Sequence, residues 1–421
     1  MQKEVINLEK LEQAKAKLRE YNQEHIIKIL EKIEKKEQEE LVEQIINFDF
    51  EQIEIIYKNK DHQEEINKVQ PINSVDKSKL SIEEKQELDK LGEEIIKNDQ
   101  YAVVTMAGGQ GTRLGCNGPK GAFKLDIGEN GKYIFELLID TLKRAENKYG
   151  VAPYWYIMTS EDNNKQTIEF MEENNYFGYN KEKVRFFIQG ELPVTTLDGK
   201  LLIDKDYKIK TASDGNGSVY VSLKKSGMLA DMEAKGIKWV YLCGVDNIMV
   251  NMVDTTFLGL AIKKGVLSGS KSIEKNYPEE KVGVFCKKNG KLAVIEYMEM
   301  TDDMLYQKNE DGGLTYGESH FVSYVYNIEA LKEIANHNLK YHCAVKKNAY
   351  IDEECNVVIP EEANSCKFES FVFDALEFLD DMVIMRVDRD EEFAPIKNIT
   401  GIDSPATAKE IYENYWSKHQ K

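Results

Sequence analysis

The sequence predicts an α/β fold: a mixed sheet with helices on both faces, preceded by a helical N-terminal region. Three observations predict it. From Tyr101 onward, short and nearly uninterrupted apolar runs alternate with amphipathic stretches, the pattern of strands buried on both faces by helices. The first hundred residues instead hold 42 charged side chains and, of the chain's 27 glycines, only Gly92. A hairpin signal at Asn289-Gly290 adds antiparallel pairing to the parallel order.

In chain order, HIIKILEKIEKKEQEELVEQI repeats apolar residues at helical spacing, at Ile26, Ile29, Leu30, Ile33, Leu41 and Ile45. SIEEKQELDKLGEEIIKN opens with Ser81 and carries Glu84 three residues on, the spacing of a capping box. Strands are expected at YAVVTMA (101–107), YWYIMTS (154–160), VRFFIQ (184–189) and KWVYLCGV (238–245). Helices are expected at 133–149, 165–174 and 218–236, a hairpin over 282–300, and a closing helix with Pro405 near its start. The expected organisation is a helical region over 1–98, a catalytic domain over 99–385 and a short closing segment over 386–421.

Composition excludes several classes. With 56 Lys+Arg against 74 Asp+Glu, the chain of 421 residues carries a net charge of −18, which disfavours nucleic acid as a partner because phosphate backbones need a basic face. No run of about 18 uncharged apolar residues exists to span a membrane. The opening residues MQKEVINLEKLEQAKAK lack the apolar core of a secretory signal. Six cysteines lie far apart without a C-x-x-C pair, which points to reduced thiols and a cytoplasmic setting. Six histidines (His25, His62, His320, His337, His342 and His419) show no metal-ligand spacing.

The most informative stretch is Met106-Ala107-Gly108-Gly109-Gln110-Gly111-Thr112-Arg113-Leu114-Gly115, followed by Gly118-Pro119-Lys120-Gly121. It follows the first expected strand, where open α/β sheets bind ligands. Glycines let backbone N–H groups approach a polyanion closely, while Arg113 offers a planar fork and Lys120 a point charge for phosphate oxygens. It is not a Walker A loop, because Gly121 stands where Ser or Thr is needed. Nor is it a dinucleotide fingerprint, because Leu114 occupies the third glycine's place. Asp246 ends the run KWVYLCGV, where a carboxylate suits a hard cation or caps the residues that follow. Cys116, inside the loop, has no base nearby in sequence and reads as a small filler.

The loop resembles the signature of the UDP-sugar pyrophosphorylases, and among them the UDP-N-acetylglucosamine branch. The resemblance extends over about residues 20–400, through NQEHI (22–26), YIMTSEDN (156–163), FFIQGELP (186–193), DGNGSVY (214–220), CGVDNIMV (243–250), VIEYME (294–299), KFESFVFDAL (367–376) and FAPIKN (393–398). It implies a Rossmann-like nucleotidyltransferase (GT-A-like) fold that joins UTP to a sugar 1-phosphate and releases UDP-sugar and pyrophosphate. By the same resemblance, Ala107, Gly108, Gly109, Gly111 and Thr112 would line the uracil and phosphate path. Arg113 and Lys120 would grip the UTP phosphates, Gln189 would face the uracil edge and Gly215 would pack against the base. Asn216 and Gly283 would contact the sugar's 2-substituent, Glu296 its hydroxyls, and Lys397 its phosphate, while Asp246 would hold Mg²⁺. Arg113, Lys120 and Lys397 form the catalytic set.

Two features depart from the pattern. Only 24 residues follow Lys397, so the further C-terminal domain of the eukaryotic members is not expected, and a monomer or weak homo-oligomer is. Where the N-acetyl-sugar branch has an asparagine-containing stretch, this chain reads GESHFVSYV with His320. Asn216 in DGNG favours the amino-sugar branch. N-acetylglucosamine 1-phosphate is therefore the expected acceptor. Glucose 1-phosphate or a broad sugar range is the alternative, and a non-catalytic UDP-sugar sensor a further one.

Overall fold

The computed structural model describes residues 2–59 and 68–419; His62 and the chain's last two residues lie outside them. Two units are present. One comprises the described part of Met1–Glu65 with Gly190–Gly217 and Leu339–Phe371, and the other Ile66–Gln189, Ser218–Asn338 and Val372–Lys421.

In the first unit, the stretch that reads as one helix is two, Glu24–Leu30 and Lys35–Asn47. The chain turns extended at Glu34, whose N–H is capped by the Glu37 carboxylate at 3.1 Å. The apolar face buries Ile26, Ile29, Leu30, Leu41 and Ile45 against Leu201, Ile203 and Phe368. Gln23 fastens this layer through both ends of its amide, accepting from the Leu201 N–H (2.8 Å) and donating to the Gly199 carbonyl (3.2 Å). Short antiparallel strands complete the unit, including His342–Lys346 against Ser365–Glu369. Cys343 and Cys366, on these two strands, form a disulfide, so the expectation of six reduced thiols is corrected. Residues that neighbour in a strand pair come within bonding reach whatever their separation in sequence.

The second unit is built on a mixed, eleven-stranded sheet. Its central run places Ser268–Glu274, Glu318–Asn327, Trp239–Gly244, Tyr101–Met106, Tyr154–Thr159 and Val184–Ile188 side by side. The last four of these are mutually parallel, and Glu318–Asn327 is antiparallel to both its neighbours. Every residue of Tyr101–Met106 is buried, as a central strand covered on both faces requires. The hairpin pairs Val284–Lys288 with Lys291–Ile295, and Asn289 and Gly290 both take positive φ (51° and 86°), which a two-residue turn of this hand demands. The helix Ile82–Lys97 starts with the expected capping box: Ser81 Oγ accepts from the Glu84 N–H (3.1 Å) and the Glu84 carboxylate from the Ser81 N–H (2.8 Å). The helix expected over 218–236 breaks into Val219–Lys225 and Met228–Ala234, because Gly227 adopts the left-handed conformation (φ 78°) between them. No helix of the described residues is long and apolar enough to cross a membrane.

Candidate active site

Strand order creates the site. From Tyr101–Met106 the chain moves outward to Tyr154–Thr159 and Val184–Ile188, then returns to place Trp239–Gly244 on the other side of the first strand. The carboxyl ends of two parallel strands whose connections leave in opposite directions bound a crevice that helices cannot cover. Met106 pairs with Gly244 at that point, and the Val245 N–H donates to the Met106 carbonyl (3.0 Å). The glycine loop and Asp246 therefore leave the sheet side by side.

The loop's own backbone shapes it. Gly111 donates to the Gly118 carbonyl (2.9 Å), Cys116 to Gly111 (3.0 Å) and Lys120 to Gly109 (3.1 Å). Gly115 and Gly118, at φ 71° and 148°, supply turns that a side chain would strain. Thr112 and Arg113 stand exposed on the short turn Thr112–Leu114, and Cys116 packs against Gly111, whose added Cβ would meet the Cys116 Cβ at 2.9 Å. Buried Asn163 pins the loop from the next strand end: Nδ2 donates to the Ala107 carbonyl (3.0 Å) while Oδ1 accepts from the Ser160 N–H (2.9 Å). Gly108 lets the Gln189 amide close onto the loop, since a Cβ there would lie 2.1 Å from Gln189 Oε1 and force that side chain to move. Gln189 is itself buried at the end of the third parallel strand, its N–H donating to the Thr159 carbonyl (2.8 Å). Gly109 has open space beside it.

Across the crevice, the post-strand loop carrying Asp246 joins the closing segment. The Ile396 N–H donates to the Asp246 carbonyl (2.9 Å), and Lys397 follows directly. Lys397 is exposed and ion-paired with Asp403 at 3.3 Å. Burial pushes the Lys120 ammonium below the usual lysine range. Asp246 opposes that shift, and Lys397 and Arg113 add to it, so these four groups share one local field.

A third group lies at the hairpin. A Cβ on Gly283 would be 3.2 Å from Glu296 Oε1, and the Gly283 carbonyl accepts from the His320 N–H (2.8 Å). Burial, with Lys397 second, pushes the His320 imidazole down to about 3, keeping it neutral. Its ring packs among Phe285, Tyr324 and Phe373, and Nε2 is 2.5 Å from the Tyr324 hydroxyl. Gly215 and Asn216 belong to the first unit. There Gly215 takes φ 91°, and a Cβ on it would strike the Ser370 carbonyl at 2.2 Å.

The second unit thus brings Gly108 to Gln189, Gly283 to Glu296, and Lys120, Arg113, Asp246 and Lys397 into one field. Sequence reasoning missed Asn163 and Asn247, buried amides that hold the loop and the closing segment. Their only signal was a polar residue just beyond an apolar strand. It also missed a buried ion cluster. Fully buried Lys271 binds Asp254 (2.8 Å) and Glu392 (2.5 Å), and Lys77 reaches Asp254 at 2.7 Å.

Comparison with known proteins gives the family of the chain. Residues 47–402 match the model of a family described as UTP–glucose-1-phosphate uridylyltransferase. The chain is 38% identical over 327 residues to the human UDP-N-acetylhexosamine pyrophosphorylase-like protein 1, covering 75% of this chain and 64% of that protein. It is 34% identical over 418 residues to UDP-N-acetylglucosamine diphosphorylase 2 of Arabidopsis thaliana, covering 93% of this chain and 81% of the plant protein. The crystal structure of the Trypanosoma brucei uridine diphosphate N-acetylglucosamine pyrophosphorylase, in complex with an inhibitor, superposes with a TM-score of 0.80 at 29% identity over 96% of this chain and 84% of that one. The chain spans about two thirds of the length of the vertebrate relatives, 66% for that of Xenopus tropicalis. The extent of the family match, together with the identity to relatives, establishes that the chain belongs to the UTP–glucose-1-phosphate uridylyltransferase (UDPGP) family.

Proposed function

We propose that this protein is a uridylyltransferase that makes a UDP-sugar and pyrophosphate from UTP and a sugar 1-phosphate, with N-acetylglucosamine 1-phosphate as the acceptor. The observation that carries the reading is geometric: the glycine loop and Asp246 leave adjoining parallel strands at the sheet's switch point, and the Ile396 N–H bonded to the Asp246 carbonyl brings the residue before Lys397 to the same place. The names of the plant and trypanosome relatives support the choice of sugar.

The chemistry asks for position and charge rather than a protein nucleophile. A phosphate monoester's second pKa is about 6, so the sugar phosphate is already mostly a dianion at neutral pH. One of its oxygens attacks the α-phosphorus of UTP in line, and the bond from that phosphorus to the bridging oxygen breaks to release pyrophosphate. Bringing two polyanions together is the obstacle. Lys120 and Arg113 neutralise the triphosphate from the loop side, and Lys397 receives the incoming sugar phosphate from the other. The Gln189 amide, buried beside Gly108, reads the uracil edge, where a base with the wrong donors would leave it unpaired. Glu296 beside Gly283 accepts from sugar hydroxyls.

Among the described residues no three His, Cys, Asp or Glu side chains group to hold a metal by themselves. A single carboxylate such as Asp246 does fit Mg²⁺, which is commonly held by one or two carboxylates together with substrate phosphates. Asp246 would hold the ion, which would add positive charge against the phosphates. The test is pyrophosphate release from UTP with N-acetylglucosamine 1-phosphate and, because the family description names it, glucose 1-phosphate, with and without Mg²⁺. Release with the acetamido sugar ahead of glucose is expected. Absence of release with every sugar phosphate tried would sink the reading.

A further inference from the structure

Asn247 follows Asp246 directly and is 8% exposed. Its amide bonds to backbone from two places. Nδ2 donates to the Glu392 carbonyl (2.7 Å), while Oδ1 accepts from the Ala394 N–H (2.9 Å) and from its own loop's Met249 N–H (3.2 Å). Two further bonds join the same two segments, one donated from each, Ile396 N–H to the Asp246 carbonyl (2.9 Å) and Ile248 N–H to the Ala394 carbonyl (3.3 Å), and Asn247 bridges Pro395 as an isolated β pair. The segment Glu392–Ile396 is thus sewn onto residues 246–248, with Asp246 and Lys397 at the exits of the seam. Nothing else about Asn247 needs an amide: apolar neighbours Val245, Ile248 and Met249 are buried around it.

We propose that Asn247 is a positioning residue that sets the separation of the Asp246 carboxylate and the Lys397 ammonium. This rests on the reaction proposed above, in which the two groups act on opposite partners. A carboxamide suits the task because it alone offers a donor and a double acceptor in one plane. Asp would lose the donor, and Leu would leave the Glu392 carbonyl and the Ala394 N–H without partners. Its bonds end one residue from Asp246 and, at Ala394, three residues from Lys397, so its loss moves reacting groups without removing any of them. Misplacement on the ångström scale is enough to lower turnover steeply.

The variants are Asn247→Ala and the milder Asn247→Ser, each made also with Lys397→Ala in the full chain. With Asn247→Ala, kcat is expected to fall about tenfold or more while KM for UTP changes less than about twofold, because the glycine loop and Gln189 are untouched. In the Lys397→Ala background the same change should cost less than about twofold, since a separation matters only while both groups that define it are present. Asn247→Ser should lie between Ala and wild type. Amide exchange supplies a readout that does not depend on activity: protection at Ala394 and Ile396 should drop about tenfold in Asn247→Ala, with Val103 and Val104 unchanged. Equal losses of kcat with and without Lys397 would overturn the inference, as would unaltered exchange at Ala394 and Ile396. A wild-type chain that releases no pyrophosphate would refute the reaction instead, and the exchange result would still decide the seam.

Discussion

The crevice has two walls, and they are made differently. The wall carrying Lys120 is a loop whose shape is held by its own backbone and by one buried amide from the neighbouring strand end, Asn163. The wall carrying Lys397 is a late segment with no strand of its own, held by the Asn247 amide and by the buried Lys271, Asp254, Glu392 and Lys77 cluster. The difference shows in the two ammonium groups. Lys120 is partly buried with its proton affinity lowered, whereas Lys397 is exposed and paired with Asp403. A partly desolvated cation stabilises developing charge more than a solvated one does, because water screens it less. Lys120 should therefore contribute more to turnover than Lys397.

The largest expected effect tests that ranking. Lys120→Ala and Asp246→Ala should lower kcat by about 10²–10³-fold, the scale of losing one preorganised charge partner at a transition state, with thermal unfolding little changed. Lys397→Ala should lose less. Steady-state kinetics beside a melting curve decide it, and a Lys397 loss exceeding that of Lys120 would reverse the account of the two walls.

The next effect is on stability. Lys271→Met removes one partner from a cluster in which Asp254 and Glu392 are almost wholly buried, leaving Lys77 to face both carboxylates. Breaking a buried ion pair from one side costs about 3–5 kcal/mol, which denaturant unfolding would register. The loss should fall on the Lys397 wall, so kcat of the folded fraction should drop while KM for UTP holds. Asp254 also sets the start of the helix Thr255–Lys264, accepting from the Phe257 N–H at 3.1 Å, so the cluster couples the closing segment to the sheet's covering layer.

These two walls also mark how much could be read from the chain alone. The four parallel strands, the Asn289-Gly290 hairpin and the Ser81–Glu84 box were legible because each depends on residues a few positions apart. The glycine loop was legible for the same reason. The second wall was not. Ser268–Glu274 alternates Ser268, Ser270 and Ser272 with Lys271 among them, so no apolar run announced it, yet its first six residues are buried. Lys271 is tolerated there only because carboxylates from residues 254 and 392 meet it, an encounter across more than a hundred residues on one side. Asn247 and Asn163 escaped for the same cause: an amide's worth depends on which distant carbonyl it finds. The joining of segments around 1–65, 190–217 and 339–371 into one unit likewise depends on contacts that no local pattern encodes.

A smaller effect sharpens the comparison at the loop wall. Gly108→Ala would push a methyl group into Gln189 Oε1 at 2.1 Å, and the side chain must swing away. If Gln189 reads the base, KM for UTP should rise about tenfold, equivalent to about 1.4 kcal/mol, with kcat at saturating UTP largely kept. The discrimination between UTP and CTP should narrow in the same variant. The Lys397 wall predicts no such change in base preference for Asn247→Ala, so the two substitutions separate recognition from positioning.

The smallest effect concerns acid, and it falls beside Lys397. His320 stays neutral in the folded chain down to about pH 3, because burial and then the Lys397 charge disfavour its imidazolium, whereas an unfolded chain protonates histidine near 6.5. Between these values the unfolded state binds the extra proton, so this group's contribution to stability is full above 6.5 and is lost as pH falls toward 3. The slope approaches about 1.4 kcal/mol per pH unit for a single proton. His320→Phe removes the titrating group while filling the pocket among Phe285, Tyr324 and Phe373. Denaturant unfolding between pH 7 and 4 should therefore fall less steeply in His320→Phe than in wild type. Lys397→Ala should also flatten the slope, by less, because burial remains the larger cause. Parallel slopes in all three chains would mean that the imidazole is hydrated in its pocket among Phe285, Tyr324 and Phe373.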